Sequence, residues 1–253
     1  MMITYEEAGS GPAVVLLHSS VCDRRMWDGQ WKALQESGYR VVRCDFRGFG
    51  QTAAPDGPYS PWADVQELLD ALGIERAALV GSSFGGRVAL QLAALRPDRV
   101  GAMVLLCPAR PGHEPSAELE ALDEQEIGLI ESGDLDGAVE LNVRTWLGPE
   151  ADAQARAKVR QMQRHAFDVQ LAAEEEFGSI PVEVDLRDAV APTLVFSGGH
   201  DLQDFRHIAA GLPEVLPNAE HREVPWAGHL PSVERPEETA ELLVAALNEV
   251  WKP

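Results

Sequence analysis

Cysteine and basic charge are both scarce in this 253-residue chain. There are three cysteines, Cys22, Cys44 and Cys107, an odd and widely spaced set. Such a set offers neither a disulfide framework nor metal-ligand spacing, so buried free thiols in a reducing compartment are expected. Lys and Arg number 21 against 41 Asp and Glu, a formal net charge of -20. That field repels phosphate backbones and anionic lipid, which argues against nucleic acid and membrane surfaces as partners. No apolar run approaches the length that spans a bilayer. The first ten residues, MMITYEEAGS, have no basic region and no long apolar segment, so no secretory signal and a cytoplasmic location are expected. Internal repeats and low-complexity segments are absent. Without a His/Cys cluster, or a G-x-G-x-x-G turn behind a strand, no metal and no organic cofactor are expected.

What the chain does contain is an alternation of short apolar runs with amphipathic stretches. Ile3 to Glu7, Ala13 to Leu17, Tyr39 to Phe46, the run ending at Gly81, Val100 to Cys107, Thr193 to Phe196 and Glu220 to Val224 read as strands. Continuous apolar runs such as Ala13-Val14-Val15-Leu16-Leu17 suit strands covered on both faces. Between them, Trp27, Trp31 and Leu34 mark one helix, and Val65, Leu68, Leu69 and Leu72 mark another that opens at Ser60-Pro61. Leu242, Leu243, Ala246, Leu247 and Val250 give the last helix its stripe. The pattern predicts an α/β fold, a mostly parallel sheet with helices on both faces. From about Pro108 to Asp188 the rhythm breaks. Three helical patterns follow one another, marked by Leu119, Leu122 and Leu129, then Val139, Val143, Trp146 and Leu147, then Val159, Met162, Ala166 and Val169. The expected organisation is a core of residues 1–109 and 189–253 and a helical lid over 110–188.

The centre of the pattern is Gly81-Ser82-Ser83-Phe84-Gly85-Gly86, a G-x-S-x-G turn between a strand and a helix. Glycines there let strand and helix approach closely while the central serine is lifted clear of the sheet edge, which marks Ser83 as a candidate nucleophile. A serine hydroxyl needs an imidazole base, and the imidazole needs a carboxylate to fix its tautomer. Asp201 and His229 each follow a predicted strand, where ligands of an open α/β sheet bind, so with Ser83 they form the candidate triad. His18, also at a strand end, is the rival base and is expected to hold its own loop instead. Asp204 is the reserve acid.

Together, Leu17-His18, Asp45-Phe46-Arg47-Gly48-Phe49-Gly50, the Ser83 turn, Phe196 to Asp201 and Gly228-His229-Leu230-Pro231 resemble the α/β-hydrolase family along essentially the whole chain. The resemblance implies a serine-dependent hydrolase of a small carboxylic ester or lactone, acting through an acyl-enzyme on Ser83. It implies an oxyanion hole from the backbone N–H groups of Ser20 and Phe84, and a sheet of seven strands rather than eight, because the N-terminus is short. Serine at the turn separates the chain from the family's aspartate-dependent dehalogenases and epoxide hydrolases. His18-Ser19 replaces the usual His-Gly and is similar to enol-lactone hydrolases. The alternatives are a C–C bond hydrolase of meta-cleavage type, which typically has Asn at position 82, and a non-catalytic small-molecule receptor. Trp146, Phe167 and Phe177 are lid aromatics that could face an acyl group. Arg25 is a candidate for a substrate carboxylate, whereas Arg87 is expected to pair with Asp or Glu structurally. The expected partner is a small-molecule substrate, and the sequence leaves room for a homodimer.

Overall fold

In the computed structural model, which describes residues 2–173 and 178–251, seven strands form one sheet. In chain order the elements are β1 (Tyr5–Ala8), β2 (Ala13–Leu17), α1 (Asp28–Glu36), β3 (Arg40–Cys44), α2 (Pro61–Ala71), β4 (Ala77–Ser82), α3 (Phe84–Leu95) and β5 (Val100–Leu106). Three helices follow: α4 (Ala117–Glu131), α5 (Leu135–Trp146) and α6 (Ala153–Leu171). The chain then returns through β6 (Thr193–Gly198), α7 (Gln203–Gly211), β7 (Ala219–Val224), α8 (Pro231–Glu234) and α9 (Pro236–Val250). The strand order is β1-β3-β2-β4-β5-β6-β7. Only β1 runs antiparallel, against β3; every other pairing is parallel.

Side chains alternate across a strand, so a central parallel strand buries both of its faces. Val14 and Leu16 of β2 enter one core with Trp27, Leu34 and Leu243, while Val15 and Leu17 enter a second with Leu68, Leu90 and Ile208. That is why these strands read as unbroken apolar runs. Helices α1 and α9 pack together on one side, and α2 and α3 on the other.

Several element ends depart from the sequence reading. The strand expected to reach Cys107 stops at Leu106, because Cys107 has φ 45° and turns out of the extended region. Trp27 closes a 3-10 turn, Arg24–Trp27, before α1 begins. Ser60 precedes α2 but its side chain makes no capping bond; Pro61 supplies the preset φ instead. The largest difference is α4. The expected helix forms, but it is not deeply packed: Leu119 and Leu129 are partly buried against the cores, no residue of α4 is fully buried and Ile127 is 54% exposed. Helices α5 and α6, by contrast, send Val139, Val143, Val159 and Met162 into the first core. Among the described residues, no helix is long and apolar enough to cross a membrane.

Candidate active site

Ser83 sits between β4 and α3 with φ 51° and ψ -113°, a left-handed conformation that costs a non-glycine residue on the order of 1–3 kcal/mol. The surroundings over-determine it. Its N–H donates to Leu106 O (3.1 Å), and its carbonyl accepts from Arg87 and Ala109 N–H groups (3.1 and 3.0 Å). Glycine is required on both sides by contact: a Cβ on Gly81 would lie 2.6 Å from Gly85 O, and one on Gly85 would lie 2.2 Å from Leu17 O. The turn therefore closes only where no side chain intervenes.

The His229 loop brings its ring to the same sheet edge. Nδ1 lies 2.8 and 3.0 Å from the two carboxylate oxygens of Asp201, and both side chains are almost fully buried. Asp201 also accepts the Leu202 N–H (2.7 Å) through Oδ1. The Nδ1 proton therefore faces a carboxylate, which leaves Nε2 as the nitrogen able to accept one. The ring packs edge-on against Phe205 (4.2 Å between centroids) and tilted against Trp146 (4.7 Å). Trp146 is thus a wall of the histidine, and its carbonyl accepts the His229 N–H (3.1 Å).

His18 is arranged differently. Its Nδ1 is 2.8 Å from Ser19 O, and its Nε2 accepts the Phe46 N–H at 2.9 Å. Burial pushes its pKa down. With both nitrogens on backbone partners and the ring against Phe46 and Phe49, it anchors a loop. Asp204 accepts from His113 Nε2 (2.7 Å), Ser116 N–H (2.9 Å) and Ser116 Oγ (2.5 Å), so it ties the start of α4 to α7. Burial alone would raise its carboxyl, but these bonds hold it below the ordinary range.

Ser20 and Phe84 line one cavity of about 670 Å³, together with Phe49, Tyr59, Arg87 and Phe167. Phe84 heads α3, so its N–H has no intrahelical acceptor. Exposed residues of α4, Ile127 and Glu131 among them, face this cavity, while Leu129 and Leu119 lie partly buried against the two cores. Phe167 is buried at its wall. Phe177 lies outside the described residues. Arg25 is not brought to this cavity: its guanidinium forks onto Asp23 (2.6 to 3.1 Å) and lines another, with Gly50 and His165. The expectation for Arg87 also fails. Among the described residues it forms no ion pair with Asp or Glu, and its buried Nε has no acceptor. A carboxylate partner three or four residues along α3 is missing because positions 90 and 91 are Leu and Gln.

Two contributors escaped the sequence reading. Cys107 places its sulfur with the His229 and Asp201 ligand atoms, all within 4.8 Å of one another. Burial and the Asp201 charge push its thiol far up, so it keeps its proton and acts as a donor, 3.5 Å from Gly228 O, rather than as a metal ligand. Glu234 is 5% exposed and accepts the N–H groups of Gly228 (2.8 Å) and Leu230 (3.1 Å), on either side of His229. Burial raises its carboxyl and backbone bonds from Gly228, Leu230 and Gly148 oppose the rise. A glutamate just before Pro236 carries no periodic signal, and its role depends on a loop closing over it. Glu234→Ala takes this acceptor from the N–H groups of Gly228, Leu230 and Gly148 while removing a costly buried charge. The expected net loss is about 2 kcal/mol, seen as a fall in Tm of roughly 5 °C, together with reduced kcat because the His229 loop loosens. An unchanged melt and rate would remove Glu234 from this role.

A family model described as alpha/beta hydrolase fold matches residues 12–175. The chain is 30% identical over 262 residues to a protein from Caulobacter segnis named putative carbamate hydrolase RutD, covering 97% of this chain and 96% of that one. The enol-lactonase from Burkholderia xenovorans LB400 superposes with a TM-score of 0.80 at 26% identity, over 97% of this chain and 96% of that chain. A thermophilic esterase from Thermogutta terrifontis gives 0.78 at 25% identity, over 99% and 94%.

Proposed function

The chain belongs to the alpha/beta hydrolase fold family and is a hydrolase by that kinship, and on that premise we propose that it cleaves a small carboxylic ester or lactone through an acyl-enzyme on Ser83. The observation that carries the reading is the left-handed Ser83 at the head of α3, at the same strand-end edge of the parallel sheet as the buried His229–Asp201 pair. His229 Nε2 takes the Ser83 proton as Oγ attacks the carbonyl, and Asp201 stabilises the resulting imidazolium. The Phe84 and Ser20 N–H groups receive the oxyanion; one such donor is worth about 2.7–4 kcal/mol in the transition state. The imidazolium then gives its proton to the leaving alcohol. The same ring activates water to release the acid and regenerate Ser83. Every step is carried by side chains and backbone of this chain, so the reading includes no metal or organic cofactor.

Helices α4 to α6 serve in this reading as the lid over the cavity, and the substrate is a small molecule. The buried thiols Cys22, Cys44 and Cys107 suit a reducing, cytoplasmic setting. The relative named as a carbamate hydrolase places carbamates beside esters and lactones among the carbonyl substrates to test. The experiment is turnover of 4-nitrophenyl acetate, a γ-lactone and a phenyl carbamate, with phenylmethylsulfonyl fluoride labelling followed by peptide mass spectrometry. Expected are multiple turnovers on at least one of the three and a single sulfonyl group on the Ser83 peptide. One equivalent released without turnover would favour a receptor, and a label elsewhere would displace Ser83.

A further inference from the structure

A chain with 41 acidic against 21 basic side chains has carboxylates to spare, yet one half-buried arginine takes none of them. Arg87 stands on the first turn of α3, four residues after Ser83, with its N–H on the Ser83 carbonyl (3.1 Å). Its guanidinium lies 4.9 Å from the centroid of the Phe84 ring, and Nε is buried with no acceptor among the described residues. The other arginine of the cavity, Arg47, is already committed to Asp64 by two bonds (2.8 and 2.7 Å). Of the two glutamates lining the cavity, Glu126 is hydrogen-bonded to Asn142, and neither it nor Glu131 forms an ion pair with Arg87 among the described residues. Burial depresses the Arg87 pKa, the mark of a charge with too little compensation. An uncompensated buried charge is expensive, and stacking on one phenyl ring returns about 1 kcal/mol at most sites, so packing alone does not account for it.

We propose that Arg87 is the anion-binding group of this cavity, and that the acyl part of the substrate carries a carboxylate held there while its scissile carbonyl faces Ser83. The substrate class is then a short dicarboxylic half-ester, or a lactone bearing a carboxylate. The inference rests on the serine-hydrolase reading for the carbonyl but not for the anion site. The spacing follows from the helix: Ser83 and Arg87 are four residues apart, about 6 Å along the axis, so only a few methylenes separate the two groups.

The test compares mono-4-nitrophenyl glutarate with 4-nitrophenyl valerate, which replaces the distal carboxylate by a methyl group. The wild type is expected to prefer the glutarate ester in kcat/KM. In Arg87→Met, which keeps an apolar stem, the ratio of the two values should fall roughly 30-fold, chiefly through KM, with partial recovery in Arg87→Lys. In parallel, glutarate itself is titrated calorimetrically, and its affinity should drop at least about tenfold in Arg87→Met. A ratio that does not change, or a wild type that prefers valerate, overturns the proposal. If neither ester turns over but glutarate binding still depends on Arg87, the hydrolase reading fails and the anion site stands. Turnover of both esters without preference, with Arg87-independent binding, has the opposite meaning. No turnover and no glutarate binding sinks both.

Discussion

Ser83→Ala is expected to lower kcat on 4-nitrophenyl acetate by roughly four to six orders of magnitude, leaving only what the oxyanion donors and binding supply. Alanine keeps the Cβ, so the φ 51° strain remains and Tm should move little. Ser83→Gly gives the sharper control. Glycine adopts this backbone without penalty, so the inactive glycine variant should melt higher than the alanine one, by a difference worth about 1 kcal/mol. A nucleophile held in a strained turn predicts this pairing of lost activity with gained stability. Steady-state kinetics and thermal melts on the three proteins check it. Residual activity within tenfold of wild type would mean that another group attacks the carbonyl.

Asp201→Asn should reduce kcat by about four orders of magnitude near neutral pH, although the side chain keeps its size. The carboxylate accepts from His229 Nδ1 through either oxygen. An amide offers one acceptor and two donors, and Leu202 N–H already claims an acceptor on this side chain. With the amide nitrogen toward the ring, Nδ1 must become the acceptor, and the proton moves to Nε2, where the base function is needed. The imidazolium also loses its counter-charge in a buried site, where a charge is costly to leave unpaired. The measurement is kcat across pH together with the melt. A loss below tenfold with an unchanged melt would show that Asp201 only orders its loop, and that the carboxylate matters for neither tautomer nor charge.

Much of this architecture is legible in sequence because parallel strands leave an unmistakable trace. Burial on both faces makes β2 and β5 apolar throughout and gives β4 and β6 apolar stretches, Ala77 to Val80 and Leu194 to Phe196, so their positions follow from the residues alone. Gly81 and Gly85 are similarly legible, since only glycine tolerates backbone oxygens at 2.6 and 2.2 Å. The periodicity of α4 marks the helix but not what covers each position: Leu119 and Leu129 lie partly against the cores, whereas Ile127 and Ile130 line a cavity. Arg87 misleads too, because pairing with one of 41 acidic residues is a reasonable expectation that depends wholly on which of them come within reach.

The positions of the strands along the chain, the bend at Ser83 and the loop that bears His229 are consequences of local composition, because steric and burial rules act over a few neighbouring residues. What folding alone decided is which distant groups meet. Cys107 came to rest beside Asp201 and His229, Glu234 came to hold the amides flanking that histidine, and the end of α5 supplied both a carbonyl and an indole to it. Such contacts join positions as far apart as Cys107 and His229, 122 residues along the chain, and no short-range pattern encodes them. The first arises where the ends of β5, β6 and β7 meet and the last where α5 returns to that edge, and the energy that fixes them is shared among residues that are strangers along the chain.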